Sequence, residues 1–223
     1  TTILIGLGCA GIAAALGAAV LWLPEPAPSL ADQVAANLAA TGLGNPVTGV
    51  LMSFRGLDTL LEAVVILLAV VCVWALAPEG GWGGVAGPCQ PVVPDGPMAL
   101  LARVLPPLGI VVAMHILWVG ADAPGGKFQA AAILAAMWMM PWMAGLAQAP
   151  RIDAPWLRGV LAVGPALFIA IGLAGAAIEG AFLAYPFGWA KPLIKLIEIV
   201  LTASIAVALA LLVMGPPEAE PRG

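Results

Sequence analysis

The chain is short of everything a water-facing surface needs. Among its 223 residues there are 8 Lys and Arg, 12 Asp and Glu, one His and one Tyr, so that only 9% of the chain is charged. A soluble domain is about a quarter charged, and a chain this poor in charge cannot clothe a globule in water. The scarcity of basic residues, with a net charge of -4, removes nucleic-acid binding, which needs a basic surface against the phosphates. A single His assembles no zinc centre within one subunit. Of the 3 cysteines, Cys9 and Cys72 lie inside apolar runs and Cys89 in a loop, with no pair at metal-ligand spacing; the first two read as small packing residues. There is no Gly-rich phosphate loop, no nucleophile beside a base, no cysteine cluster and no pair of carboxylates in an aqueous cleft. Neither a resident cofactor nor a metal is therefore expected, and hydrolytic or redox catalysis by this chain alone is not.

What is abundant is apolar: 62% of residues are hydrophobic and the mean hydropathy is +1.07. The chain reads as an integral membrane protein. The 27 Gly and 21 Pro would suggest disorder in a polar chain, but this apolar content argues against it. Six stretches, about 1–23, 57–77, 101–120, 128–147, 157–178 and 193–214, approach or exceed the roughly 20 residues a span requires. Their backbone is expected to be helical, because hydrocarbon offers no partner to an unpaired peptide group. No alternating barrel pattern is present. The expected fold class is all-α, a polytopic bundle of about six transmembrane helices.

The first stretch has no basic flank and reads as a span rather than a cleaved signal. Pro24, Pro26 and Pro28 stop it. Leu30, Val34 and Leu38 then recur at helical spacing opposite Asp32, Gln33 and Asn37, which predicts an interfacial amphipathic helix over 30–41, with Ser29 as N-cap and Gly42 as terminator. Residues 78–97 are too rich in Gly and Pro for regular structure. They divide a two-span unit (1–77) from a four-span unit (98–215), with a polar tail over 216–223. Runs such as AGIAAALGAA and IGLAGAA suit close helix packing. The tryptophans fall largely near span ends, as an anchoring belt would. Basic residues divide evenly, with Arg103, Arg151, Arg158 and Arg222 on the side of the N-terminus and Arg55, Lys127, Lys191 and Lys195 on the other; discounting the last two as partly buried puts both termini in the cytoplasm.

Ionisable groups at membrane depth are expensive and mark function. Arg55, Asp58 and Glu62 stand at i, i+3 and i+7, on one face of a helix entering the membrane. Arg55 and Asp58 can pair near the interface. Glu62 lies deeper, and two readings stay open for it: a structural ion pair, or proton or ion traffic. Lys191, Lys195 and Glu198 repeat this one-face arrangement at the start of the last span. There Lys195 and Glu198 either neutralise each other within the helix or leave Glu198 facing a neighbouring subunit. His115, mid-span, reads as a packing residue or a proton relay. Glu179 closes the fifth span beside Gly180.

Two segments carry a family resemblance. Asn45, Val47, Thr48, Leu51, Phe54, Arg55, Asp58, Thr59, Leu60 and Glu62 follow the pattern N-x-V-T/N-x-(I/V)-L-x-x-(F/Y)-R-x-x-D-T-L-x-E. In this, residues 45–76 resemble the C-terminal part of the A subunit of Mrp-type multisubunit sodium/proton antiporters, and equally the E subunit of related membrane-bound hydrogenases. Gly120, Ala123, Pro124, Gly125, Gly126, Phe128 and Gln129 match the G-H-N-A-P-G-G-G-F-Q-G-G hallmark of the antiporter B subunit, which residues 101–136 resemble. Here Ala121 and Asp122 replace the His-Asn pair, Lys127 the third Gly, and Ala130 and Ala131 the last two. Residues 157–214 resemble that subunit's last two spans more loosely. The resemblance implies a fusion of an E-like two-helix unit with a B-like four-helix unit, in a membrane arm related to respiratory complex I. It further implies a bacterial or archaeal cytoplasmic-membrane location, other membrane subunits of an antiporter-like complex as partners, and transported H+ and Na+. Arg55, Asp58, Thr59 and Glu62 become the ion-pathway candidates by position, joined on grounds of burial by His115, Lys195 and Glu198. The runner-up expectation is a purely structural scaffold in the membrane arm of a hydrogenase or of another redox- or carbon-uptake-linked complex.

Overall fold

A computed structural model describes residues 2–23, 29–78, 83–88 and 96–218. Pro24, Pro26, Pro28, Cys89, Arg222, parts of the 78–97 linker and most of the 216–223 tail lie outside the described residues. Every apolar stretch read from the sequence is helical. In chain order the elements are α1 (Thr2–Leu21), α2 (Ala31–Thr41), α3 (Pro46–Gly49) running into a π-helical turn (Val50–Phe54), α4 (Gly56–Ala75), α5 (Pro97–Val119), α6 (Lys127–Met143), α7 (Pro155–Glu179) and α8 (Ala190–Met214). The all-α polytopic class holds. By length and composition α4, α5, α7 and α8 are long and apolar enough to cross a membrane. The 17 residues of α6 extend about 25 Å at ~1.5 Å each, somewhat short of a ~30 Å hydrocarbon core.

Two compact units divide the chain at Gln33 and Val34. The first consists of α1, an apolar helix without a charged residue, and the start of α2, where the Ser29 hydroxyl accepts the Ala31 N–H at 3.2 Å. The second, Val34–Gly223, holds the rest. There Gly42, at φ +68°, ends α2 in the left-handed region, which a glycine enters without penalty.

Within the second unit α8 is the central helix. α6 and α7 pack closely along it, α4 packs on both α7 and α8, and α5 lies mainly against α6. The helices before and after residues 78–97 thus pack on one another. Small residues set the helix separations, since lipid supplies no hydrophobic drive to bring helices together and contact area must do so. At Gly164 a side chain would collide with Ser204 of α8. The Ser204 hydroxyl instead enters the α7 ladder, accepting the Gly164 N–H at 3.0 Å and donating to the Val160 carbonyl at 2.6 Å. The adjacent Pro165 lacks an N–H and crowds the turn before it, so the α7 backbone is open to such an insertion. After α7, the segment 180–189 folds back so closely that Gly172 and Gly175 have no room for a β-carbon beside Phe182 and the Ala184 backbone.

Two expectations need correcting. Among the described residues of the Gly/Pro-rich linker, Val85–Ala86 forms a two-residue strand, β1, antiparallel to β2 (Pro217–Glu218). Neighbouring bonds run from Ala86 N–H to the Pro150 carbonyl and from Ile152 N–H to the Gly84 carbonyl, both at 3.0 Å. Gly and Pro exclude a long element, but two non-Pro residues suffice for a ladder this short. Cys9 and Cys72 are not packed inside but exposed. An apolar run in a span faces lipid as readily as protein, so its presence does not place a cysteine in the core.

Candidate ion-pathway site

The two sequence motifs meet in space. Asn45 caps α3, its side-chain oxygen accepting the Val47 N–H at 3.0 Å. Its amide nitrogen donates to the carbonyls of Gly120 (2.8 Å) and Ala123 (3.0 Å), in the loop after α5. Thr48 adds a hydroxyl bond to the same Gly120 carbonyl at 2.7 Å. The backbone N–H groups of Gly44 and Asn45 both reach the Ala121 carbonyl at 3.1 Å. One asparagine and one threonine therefore satisfy carbonyls that the end of α5 leaves open. The loop is compact because Gly120 approaches the Gly126 backbone and Gly125 the Ile116 carbonyl too closely for any β-carbon. Gly125 and Gly126 also sit at φ +154° and +144°. Pro124 and Gln129 face outward, whereas Phe128 packs against the core.

Docking the loop carries Lys127, the first residue of α6, into the interior, where it is only 3% exposed. Its ammonium lies 3.4 Å from the Met52 sulfur and 5.1 Å from the centroid of the Phe128 ring. Met52 is fully buried in the π-helical turn. That turn is held by side chains from elsewhere: Tyr185 donates to the Met52 carbonyl at 2.8 Å, and Thr59 to the Leu51 carbonyl at 2.6 Å. Burial pushes the Tyr185 phenol up from its ordinary value, so its hydroxyl keeps the proton it donates. On α8, Glu198 is 2% exposed. It shares electrostatic interaction with Lys127, which also senses Glu62. Thr202 bonds the Glu198 backbone carbonyl at 2.7 Å and leaves the carboxylate alone.

The candidate residues separate into an inner and an outer set. Glu198 turns into the bundle of its own chain rather than outward; Lys195 forms no hydrogen-bonded ion pair with it but still acts electrostatically on its carboxylate. Lys195 instead lies over the Trp118 ring, 4.6 Å from its centroid. Thr59 is buried, its hydroxyl committed to the backbone. Arg55 and Asp58 pair at 2.5 Å on the outside of α4. Glu62 and His115 are likewise exposed on the outer faces of α4 and α5. At the start of α8, Lys191 pairs with Asp122 of the glycine loop, and that hydrogen bond holds the Asp122 carboxyl below the usual carboxylate range. An open pocket of about 600 Å³ beside this pair is lined by Thr41, Phe187, Lys191 and Lys195, among others. Among the described residues no cluster of three His, Cys, Asp or Glu side chains is placed to hold a metal.

Sequence reading missed Lys127, Met52 and Tyr185. The one local signal was a lysine at the first position of a helix, the end where the helix dipole opposes a cation.

The family described as "domain related to MnhB subunit of Na+/H+ antiporter" matches residues 97–216, the stretch from α5 through α8. The chain belongs to that family. Two solved structures share the fold of nearly the whole chain. One is from the membrane-bound sulfane sulfur reductase, described as an archaeal respiratory membrane complex. It is 23% identical, with 95% of this chain and 96% of that one covered and a TM-score of 0.66. The other is from the Mrp complex of Dietzia sp. DQ12-45-1b, 24% identical over 98% of this chain, with a TM-score of 0.61. The match covers only 26% of that longer chain, so this MnhB-related protein spans about a quarter of it. Among curated proteins, none matches.

Proposed function

We propose that this MnhB-related protein is a non-catalytic membrane subunit of an Mrp-like, multisubunit cation/proton antiporter complex in a bacterial or archaeal cytoplasmic membrane. In this reading residues 1–77 stand in for the A-subunit or hydrogenase E-like segment, and its partners are the neighbouring membrane subunits. The observation that carries an ion-pathway role is Glu198, a carboxylate buried on the central helix opposite a buried lysine. An acid kept inside a membrane bundle without a hydrogen-bonded cation is costly as a structural device, and it is suited to binding H+ or Na+ in turn. Glu62, with Arg55 and Asp58 beside it, forms the outer end of the path, where another subunit would cover α4. His115 and Lys195 flank that path, and Thr59 shapes the turn beneath it.

Glu198→Gln removes the charge and keeps the volume. In everted vesicles it is expected to abolish or strongly reduce coupled Na+/H+ flux while the complex still assembles on a native gel, with Glu62→Gln weakening the same flux. Normal flux per assembled Glu198→Gln complex overturns the pathway role. A second reading, a structural subunit of a respiratory membrane arm, is favoured by the near-complete mutual coverage with the sulfane sulfur reductase chain. It predicts lost assembly in both variants, with unchanged transport per assembled complex.

A further inference from the structure

The position of Lys127 is hard to explain by the stability of α6. It is the first residue of a helix that has no side-chain N-cap, so its cation meets the positive end of the helix dipole. It is buried, although an ammonium carries three donors. Its hydrogen-bond contact among the described residues is a thioether, a weak acceptor. A thioether and one aromatic face hold the cation, but less strongly than the water it has left. The compensating charges come from α8 and α4, as Glu198 and Glu62. Glu198 mirrors the situation: buried on α8, with Lys127 the leading positive charge acting on it and Lys195 drawn off over Trp118. Acid and base are thus both buried, on the closely packed helices α6 and α8, and among the described residues no ion pair joins them.

From this geometry we propose that Lys127 is a tethered counter-cation for Glu198: its ammonium pairs with the carboxylate when no transported cation is bound, and withdraws to the Met52 sulfur when one arrives. The chain's own lysine then competes with the transported ion for one carboxylate, which keeps the empty site ionised and prevents it from holding its cargo too tightly. This rests on the pathway role proposed above for Glu198.

Lys127→Met, Glu198→Gln and the combined change form a double-mutant cycle, read as the melting midpoint of the intact purified complex. Each single change strands a buried charge and is expected to lower the midpoint by several degrees; the combined change strands none and recovers most of the loss. Additive losses, or a double variant no better than the singles, overturn the pairing. In everted vesicles the Na+ concentration for half-maximal antiport is expected to fall about tenfold in Lys127→Met, the order that removing one nearby competing charge is worth. Lys127→Arg restores it towards the parent value. When Glu198→Gln by itself abolishes flux, an unchanged half-maximal concentration in assembled Lys127→Met overturns the competition. If Glu198→Gln leaves flux intact, the pathway role fails, and the melting cycle still decides whether the two residues are partners.

Discussion

Replacing Asn45 tests whether the two sequence motifs are fastened to each other as the structure describes. Its side chain makes three hydrogen bonds, to the Gly120 and Ala123 carbonyls and from the Val47 N–H, and the residue is buried. At about 1 kcal/mol net for each intramolecular bond, Asn45→Ala loses ~3 kcal/mol; because Gly120 keeps its bond from Thr48, the expected cost is roughly 2–3 kcal/mol. Thr48→Val removes one bond whose acceptor retains Asn45, and is expected to cost about 1 kcal/mol. The combined variant leaves the Gly120 carbonyl with neither partner, so its cost should exceed the sum of the two by roughly 1–2 kcal/mol. Asn45→Asp separates the two roles of the residue. It keeps the cap oxygen but sets an anion against two carbonyls, and should be at least as damaging as alanine. Denaturant unfolding of the protein in detergent, followed by tryptophan fluorescence, measures all four. A loss below about 0.5 kcal/mol for Asn45→Ala, or strict additivity of the pair, would refute the docking argument.

Gly164→Ala forces a methyl against the Ser204 side chain and should cost about 1–3 kcal/mol, the usual range for overpacking. Ser204→Ala in the same background should relieve part of that loss, and no relief in the same unfolding assay argues against the contact. Asp122 gives an acid-limb signature: Lys191 depresses its folded-state pKa, so the stabilisation is complete above the unfolded carboxylate value and disappears as pH falls through the lower folded one. Asp122→Asn is therefore expected to flatten the decline of melting temperature at the acid end while changing it little at neutral pH. An identical acid limb in variant and parent excludes this pair as a contributor.

The helices and the one-face clusters were legible because a periodicity of 3.6 residues survives in any solvent. Asp58 and Glu62 do share the outer side of α4, while Arg55 precedes the helix as its non-helical N-cap; Thr59, one residue on from Asp58, turns inward by the ~100° that each helical residue adds. What that periodicity does not carry in a membrane is which side is inside. Lipid and protein interior are equally apolar, so nothing local shows that Cys72 faces out. Lys195 and Glu198 illustrate the same difficulty at finer grain. Three residues leave them ~60° apart around α8, close enough to pair and also far enough to straddle the edge of the buried face, and the packing of α6 on α8 selects the second outcome. Lys127 was the least legible of all. Beside two glycines it reads as a loop charge bound for solvent, and it is buried only because Asn45 and Thr48 draw the loop down and the π-helical turn puts Met52 beneath it, 75 residues away in sequence. A charge buried by such distant contacts leaves little trace in its own neighbourhood beyond its mismatch with the helix dipole. In a chain this poor in charge, that mismatch is a sign that the lysine answers to another charge, and the buried acid facing it is Glu198.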